Sequence, residues 1–137
     1  MTVKPTTDRA YLRRWMLRPA FVRAMGGFPD GVDPDAAFSV MLQSDAKFVG
    51  VWDDGHEKGC IIFNRVPGAW GLHLCLATWW TKTRIALKQA IAMCIPAGET
   101  VVAEYDGSRA SLNRLLDDIG FSSGDTHEGK RIRTFTI

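Results

Sequence analysis

The sequence lacks the cysteine spacing of a metal site or of a disulfide framework. Its three cysteines, Cys60, Cys75 and Cys94, lie far apart in apolar segments, and an odd number cannot pair completely. Buried, reduced thiols of a cytoplasmic protein are the expectation that follows. Because Cys75 has only apolar neighbours and no evident His/Asp arrangement, the sequence does not indicate a thiol nucleophile. No cluster of ligating residues predicts a bound metal.

The chain also has little excess charge of either sign. Its 17 basic and 15 acidic residues leave a formal net charge of +2, which does not demand a nucleic-acid partner. Nucleic-acid binding through Arg13, Arg14, Arg18 and Arg23 is kept as a third hypothesis. The alternative is that these arginines form the solvated face of the N-terminal helices.

Long apolar runs are missing as well. No stretch approaches the about 20 residues that are needed to cross a bilayer, and the polar N-terminus with its Asp8 does not look like a signal peptide. Repeats, linkers and low-complexity segments are absent from the sequence. The chain is therefore predicted to be one cytoplasmic domain over residues 1–137, without a membrane partner, and a homodimer is left open.

The pattern of apolar residues changes period in the second half of the chain. Short turns join three predicted strands into an antiparallel meander. Apolar residues then recur every three or four positions, which predicts a helix. Its apolar side contains Ile85, Leu87, Ala90, Ile91 and Cys94. The predicted elements are a strand at 2–6, helices from 8, 19 and 34, strands at 47–52, 60–66 and 71–78, a helix from 83, a strand at 100–105, a helix from about 109, and a hairpin over 121–137.

The turn that ends the third meander strand is the first candidate site. It carries Thr81, Lys82, Thr83 and Arg84 directly before the helix. Backbone N–H groups at a helix start lack intrahelical partners, and the helix dipole favours negative charge there. The residues themselves therefore predict an anion site in this turn.

The order of elements resembles the GNAT (GCN5-related N-acetyltransferase) fold. The sharpest local match is RASLNRLLDDIGF over 109–121, which is similar to the GNAT helix after the fifth strand. The resemblance covers about 46–137 well and the N-terminal helices loosely. It implies an α/β (α+β) domain with a central mixed, mostly antiparallel sheet of six to seven strands, a parallel fourth and fifth strand, and about four flanking helices. The chain also resembles short GNAT-like proteins encoded by tailed bacteriophages.

The resemblance implies acetyl-CoA as co-substrate, bound where the fourth strand (71–78) and the fifth strand (100–105) part. The backbone of the fourth strand would pair with the pantetheine arm, the next turn would hold the pyrophosphate, and Arg109 stands where the family usually has an asparagine. The implied cofactor-binding residues are Leu76, Ala77, Thr78, Thr81, Lys82, Thr83, Arg84, Ile85 and Arg109.

Acetylation of an amine needs a group that removes a proton from the nucleophile. His73 is the first candidate base, because histidine titrates near working pH and His73 shares a strand face with Cys75 and Ala77. Glu104, late in the fifth strand, is the second. The alternative for His73 is a structural histidine whose ring is hydrogen-bonded inside the sheet. The alternative for Glu104 is a solvent-exposed carboxylate at the end of a strand.

Two functional classes remain from the sequence. The first is an acetyl-CoA-dependent N-acetyltransferase that acts by direct attack of an amine, on a small molecule or a protein, bound among the N-terminal helices and the 60–66 strand. The alternative is a non-catalytic GNAT-fold binding module. Its support is the turn WWTKTRIA, which lacks the usual glycines, and Leu116, which stands where the family often has a tyrosine that protonates the leaving thiolate.

Overall fold

A computed structural model shows a mixed sheet with helices on both faces, and it describes residues 1–24, 27, 30–77 and 81–137. Within these residues there are seven strands and five helices, in the order that the sequence predicts. The elements are β1 (Thr2–Pro5), α1 (Arg9–Met16), α2 (Pro19–Ala24), α3 (Pro34–Gln43), β2 (Lys47–Asp53), β3 (His56–Val66), β4 (Ala69–Leu76), α4 (Thr83–Cys94), β5 (Thr100–Asp106), α5 (Ala110–Ile119), β6 (Asp125–His127) and β7 (Lys130–Thr136).

The strand order in the sheet is β1-β2-β3-β4-β5-β7-β6. All neighbouring strands are antiparallel except β4 and β5, which are parallel and are connected through α4. The predicted mixed sheet with one parallel pair is therefore confirmed. The five helices of the described residues correspond to the five helices predicted along the chain, from 8, 19, 34, 83 and about 109.

Alternation along the strands divides the core into two layers. Ile61 and Phe63 of β3 point to the face that α4 and α5 cover, whereas Cys60 and Ile62 point to the face that α1, α2 and α3 cover. Successive side chains of a strand face opposite sides of a sheet. A sheet buried on both faces explains why β4, with the sequence AWGLHLCL, shows little polar alternation.

The hydroxyl of a buried tyrosine connects α1 to the sheet by hydrogen bonds. The Tyr11 hydroxyl donates to the carbonyl of Gly59 at 2.5 Å and accepts the backbone N–H of Val51 at 3.3 Å. This contact lies beside the register shift that follows Val51 in the β2–β3 ladder. Burial raises the pKa of Tyr11 to about 12, so the hydroxyl stays protonated and can serve both partners.

One prediction about α4 is wrong. Ile85 was expected on the apolar side of the helix, but its side chain is 43% exposed. The buried side instead contains Thr83, Ala86, Leu87, Ala90, Ile91 and Cys94. At 3.6 residues per turn, Ile85 lies about 200° from Leu87 and so faces away from the sheet.

The prediction that Cys60, Cys75 and Cys94 are buried and unpaired is confirmed, since all three are buried free thiols. The Cys75 thiol donates to the carbonyl of Trp15 at 2.8 Å. Hydrogen bonding to Cys75 and burial hold the pKa of Cys60 well above its usual value. None of the helices in the described part of the chain combines the length and apolarity that crossing a membrane requires.

Candidate active site

The sheet opens between β4 and β5. Only two residue pairs join these strands, Trp70 with Val101 and Gly71 with Val102, although β4 continues to Leu76 and β5 to Asp106. Each strand keeps its other neighbour, β3 for β4 and β7 for β5, over its whole length. The parallel pair therefore diverges after two residues and leaves a gap that faces one edge of β4.

The direction of the backbone groups in β4 follows from its pairing with β3. The N–H of Ala77 donates to the carbonyl of Lys58 at 3.0 Å. Because backbone groups of successive residues alternate between the two edges of a strand, those of Leu74 and Leu76 point toward β5. These are the groups that can pair with an extended ligand, whereas the Ala77 amide already has a partner.

A cavity of about 280 Å³ lies in the gap, and its wall includes Leu72, His73 and Leu74 from β4. Strand β5 contributes the run from Ala103 to Asp106, and Arg109 stands at the start of α5. The structure thus brings together three residues that the sequence singled out. They are His73, Glu104 and Arg109.

His73 is held by a side chain of the neighbouring strand. Its Nε2 lies 2.9 Å from Oδ1 of Asn64, and since an amide oxygen only accepts, Nε2 carries the proton and donates. In the neutral ring, Nδ1 then keeps its lone pair and can accept a proton. Burial lowers the pKa of His73, which favours this neutral form.

Gly71 makes room for that contact. Gly71 is the cross-strand partner of Asn64, and a Cβ at this glycine would lie 2.5 Å from the Asn64 Oδ1 atom. Sequence reasoning missed Asn64, although a polar amide directly after the apolar run CIIF was the signal that could have found it.

Glu104 faces the same cavity from β5 but is more exposed. Its carboxylate lies 3.7 Å from the ammonium of Lys130, and its side chain is 56% exposed. Tyr105 of β5 also lines the cavity, and its hydroxyl donates to Asn113 at 2.6 Å. Sequence reasoning missed Tyr105, which follows Val101 and Ala103 in the strand alternation. Leu116 is fully buried in the core.

The predicted anion turn is described from Thr81 onward, and Thr78, Trp79 and Trp80 lie outside the described residues. Helix α4 begins at Thr83 with Lys82 as its N-cap, and the side chain of Lys82 makes no capping hydrogen bond. Arg84 is exposed, and Thr83 is buried.

Lys82 is already engaged. Its ammonium lies 2.9 Å from Asp53 Oδ1, and this hydrogen bond is the main reason why the pKa of Asp53 is lowered. A phosphate that recruits Lys82 would compete with Asp53, whereas Arg84 has the simpler access to a ligand.

His73 lines a second cavity, of about 370 Å³, whose wall also includes Phe21 and residues of α3 and β3. Phe21 and His73 are common to both cavities. A molecule in the second cavity therefore reaches the same histidine as a molecule in the gap between β4 and β5.

The arginines of the N-terminal helices are mostly engaged within the protein. Arg13 pairs with Asp35 at 2.8 Å, and Arg14 pairs with Glu57 at 3.0 Å. The guanidinium of Arg18 lies 3.8 Å from the ring centroid of Trp15. These contacts do not favour the nucleic-acid hypothesis. No group of three or more metal-ligating side chains occurs in the described ranges.

Solved acetyltransferases share this architecture. The Campylobacter jejuni N-acetyltransferase PseH in complex with acetyl coenzyme A aligns over 98% of this chain and 99% of its own, with a TM-score of 0.65 and 15% identity. Aminoglycoside acetyltransferase AAC(6')-Ib in complex with coenzyme A aligns over 98% and 95%, with a TM-score of 0.63 and 19% identity. A GNAT-family protein from Desulfovibrio desulfuricans aligns over 98% and 98%, with a TM-score of 0.64 and 18% identity.

The chain has the GNAT fold. At these identities the likeness is one of fold, and the chemistry has to be argued from the residues. No protein-family model matches the sequence, and no curated protein does. Within the GNAT fold, the gap between β4 and β5 is the feature on which a functional assignment depends.

Proposed function

We propose that this protein is an N-acetyltransferase that moves the acetyl group of acetyl-CoA to an amine by direct attack. The observation that carries the proposal is the early divergence of β4 and β5, with His73 in the wall of the resulting cavity. Relatives in fold that were solved with acetyl coenzyme A or coenzyme A support the choice of co-substrate.

The pantetheine arm lies along the open edge of β4 in this proposal. Its amides pair with the backbone of Leu74 and Leu76, which point into the gap. The diphosphate lies at the start of α4, where the helix dipole favours negative charge and Arg84 adds a positive charge, and Arg109 contributes at the mouth of the cavity. Ala77 is left out, because its N–H donates to Lys58.

His73 acts as the base. The lone pair of the amine attacks the thioester carbonyl carbon, and the oxygen gains negative charge that a backbone N–H of β4 stabilises. The amine proton moves to Nδ1 of His73, directly or through one water. The carbon–sulfur bond then breaks, the thiolate of CoA takes a proton from solvent, and His73 returns its proton to solvent.

Glu104 is assigned a supporting role. Its carboxylate faces the same cavity and attracts a protonated amine from solution. The acceptor is a small amine or the amine of a protein, and it approaches from the second cavity, beside Phe21.

Thiol release and ligand binding test the proposal together. Acetyl-CoA should raise the melting temperature in a concentration-dependent way. His73→Gln should lower kcat by roughly 100-fold or more with acetyl-CoA binding kept, which is the usual size of a lost general base. His127→Gln is the matched control, since that side chain, at the end of β6, is 85% exposed. Acetyl transfer that survives in His73→Gln would contradict the assignment.

The non-catalytic alternative has one specific observation in its favour. Lys82 is paired with Asp53 and Thr83 is buried, so two of the expected phosphate donors are turned to the protein. A protein that shows no thermal shift at millimolar CoA and no thiol release with any amine would support a binding module.

A further inference from the structure

The second cavity has walls that suit an apolar molecule. Its lining includes the buried side chains of Phe21, Phe48 and Ile62 and the partly buried Met41. Val40 also lines it and is 68% exposed. Burying such a surface against a ligand stabilises the complex, because apolar area is removed from water.

The volume of this cavity, about 370 Å³, lies near the lower end of the range for small-molecule sites, which is about 300–1,000 Å³. It therefore suits a ligand of one ring and a short chain better than an oligosaccharide. Hydroxyl groups placed against Phe21, Phe48 and Ile62 would lose their hydrogen bonds to water without replacement, which disfavours the binding of a polyhydroxylated ligand.

The charges at the cavity point to a cation. Arg65 lies in its wall, but its charge is compensated by Glu99, which is 3.3 Å away, and its guanidinium lies 4.3 Å from the ring centroid of Trp70. The Asp45 carboxylate also lines the cavity. Among the described residues, no hydrogen bond or ion pair engages that carboxylate. The uncompensated charge at this cavity is therefore negative.

We propose that this cavity binds the acceptor, a small arylalkylamine whose ring lies against Phe21 and Phe48 and whose ammonium is attracted by Asp45 before it reaches His73. This inference rests on the proposed acetyltransferase function for its catalytic meaning. The binding itself does not depend on catalysis. Phenethylamine represents the class, and paromomycin and spermidine represent polyhydroxylated and polycationic amines.

Binding and turnover are measured separately. Calorimetry with phenethylamine, in the presence of CoA, gives the affinity without chemistry, and thiol release with acetyl-CoA gives kcat and KM for each amine. We expect kcat/KM for phenethylamine to exceed that for paromomycin and for spermidine by at least 10-fold. An inverted order, with transfer observed, would overturn the arylalkylamine assignment and leave the acetyltransferase function intact.

Two exposed positions allow variants that fold. Val40→Arg places a cation and a longer side chain at the cavity and should weaken phenethylamine binding by 10-fold or more. Asp45→Asn should weaken it several-fold, and this loss should shrink at high salt because the contribution is electrostatic. Val32→Arg is the matched control, since Val32 is 40% exposed and does not belong to the lining of this cavity.

The outcomes separate the two proposals. Phenethylamine binding that Val40→Arg abolishes, without acetyl transfer to any amine, would support the cavity and overturn the acetyltransferase function. Binding that neither Val40→Arg nor Asp45→Asn changes would overturn the cavity assignment, and so would a protein that binds no phenethylamine at all.

Discussion

The amide oxygen of Asn64 accepts the hydrogen bond of His73 Nε2 at 2.9 Å across the β3–β4 ladder. This contact sets the tautomer of the imidazole, and the tautomer decides which nitrogen can take a proton. Asn64 therefore acts on the proposed chemistry through His73, as a positioning residue.

Asn64→Asp should raise the pKa of His73, since a carboxylate beside an imidazole favours the charged ring. A base works in its neutral form, so the acid limb of the kcat/KM profile should move to higher pH by about one unit or more. Asn64→Ala should lower kcat without moving the acid limb of the kcat/KM profile. Profiles of both variants that superimpose on the wild-type profile would exclude a positioning role.

Gly71→Ala should imitate the loss of Asn64. The new Cβ would lie 2.5 Å from Asn64 Oδ1, so the amide must move away from His73. We expect a kcat close to that of Asn64→Ala and unchanged binding of acetyl-CoA, measured by calorimetry. If the double variant Gly71→Ala/Asn64→Ala is much slower than either single variant, the glycine acts in another way.

His73 should also make stability depend on pH. Burial lowers its pKa below the unfolded value of about 6.5, so the folded state favours the neutral ring. The resulting stabilisation is present above about pH 6.5 and is lost as the pH falls through the folded pKa. Denaturant melts should show a free energy of unfolding that declines on acidification. This part of the slope should disappear in His73→Gln and persist in His127→Gln.

Arg84→Glu should weaken CoA binding by about 10-fold at low salt, because it reverses a charge at the start of α4. Pantetheine, which carries no phosphates, should bind the variant as it binds the wild type. Lys88→Glu changes an exposed charge farther along the helix and serves as the control. Equal losses for CoA and pantetheine would show that the phosphates lie elsewhere.

Arg133 is predicted to be a major contributor to stability. Its side chain is 1% exposed and donates to the carbonyls of Ser122, Asn113 and Phe121 and to the Asp117 carboxylate. Arg133→Ala removes all four of these hydrogen bonds from a buried position and should lower the free energy of unfolding by about 3–5 kcal/mol.

Asp117→Ala is the comparison for Arg133→Ala. The Asp117 side chain is 63% exposed, and a pair with one exposed partner contributes less, so we expect a loss of about 1 kcal/mol. Losses of equal size in denaturant melts would show that the ion pair, and not the three carbonyl contacts, accounts for the stabilisation.

The fold was predictable from the sequence because its signals are local. Asp54 and Gly55 form the turn between β2 and β3, and Asp33 caps α3 directly before Pro34. Such dipeptides are local signals in the sequence, as is the change of apolar period, and the right-handed crossover through α4 then makes β4 and β5 parallel. Ile85 shows the limit of this reasoning: apolar character at a helix start does not determine which side packs.

The site was only partly predictable. His73 and Glu104 could be placed on neighbouring strands. The partner of His73 could not be predicted, because it depends on the register between β3 and β4, and the length of the connecting turn sets that register. Asn64 and Gly71 meet through that register, and the Lys82–Asp53 pair joins residues that are distant in the chain. The assignments of the catalytic and cofactor residues stay predictions, as do the cytoplasmic location and the bacteriophage resemblance.

One half of the sheet consists of β1, β2, β3 and β4, and the other half consists of β5, β7 and β6. Only two residue pairs, between β4 and β5, join the two halves. An extended cofactor that carries amide groups would bind in the gap like an additional strand and would connect the two halves by hydrogen bonds. Amide hydrogen exchange at Leu74 and Leu76 should then slow on binding, because both N–H groups gain acceptors. In this protein the co-substrate would complete the architecture of the sheet as well as supply the reacting group.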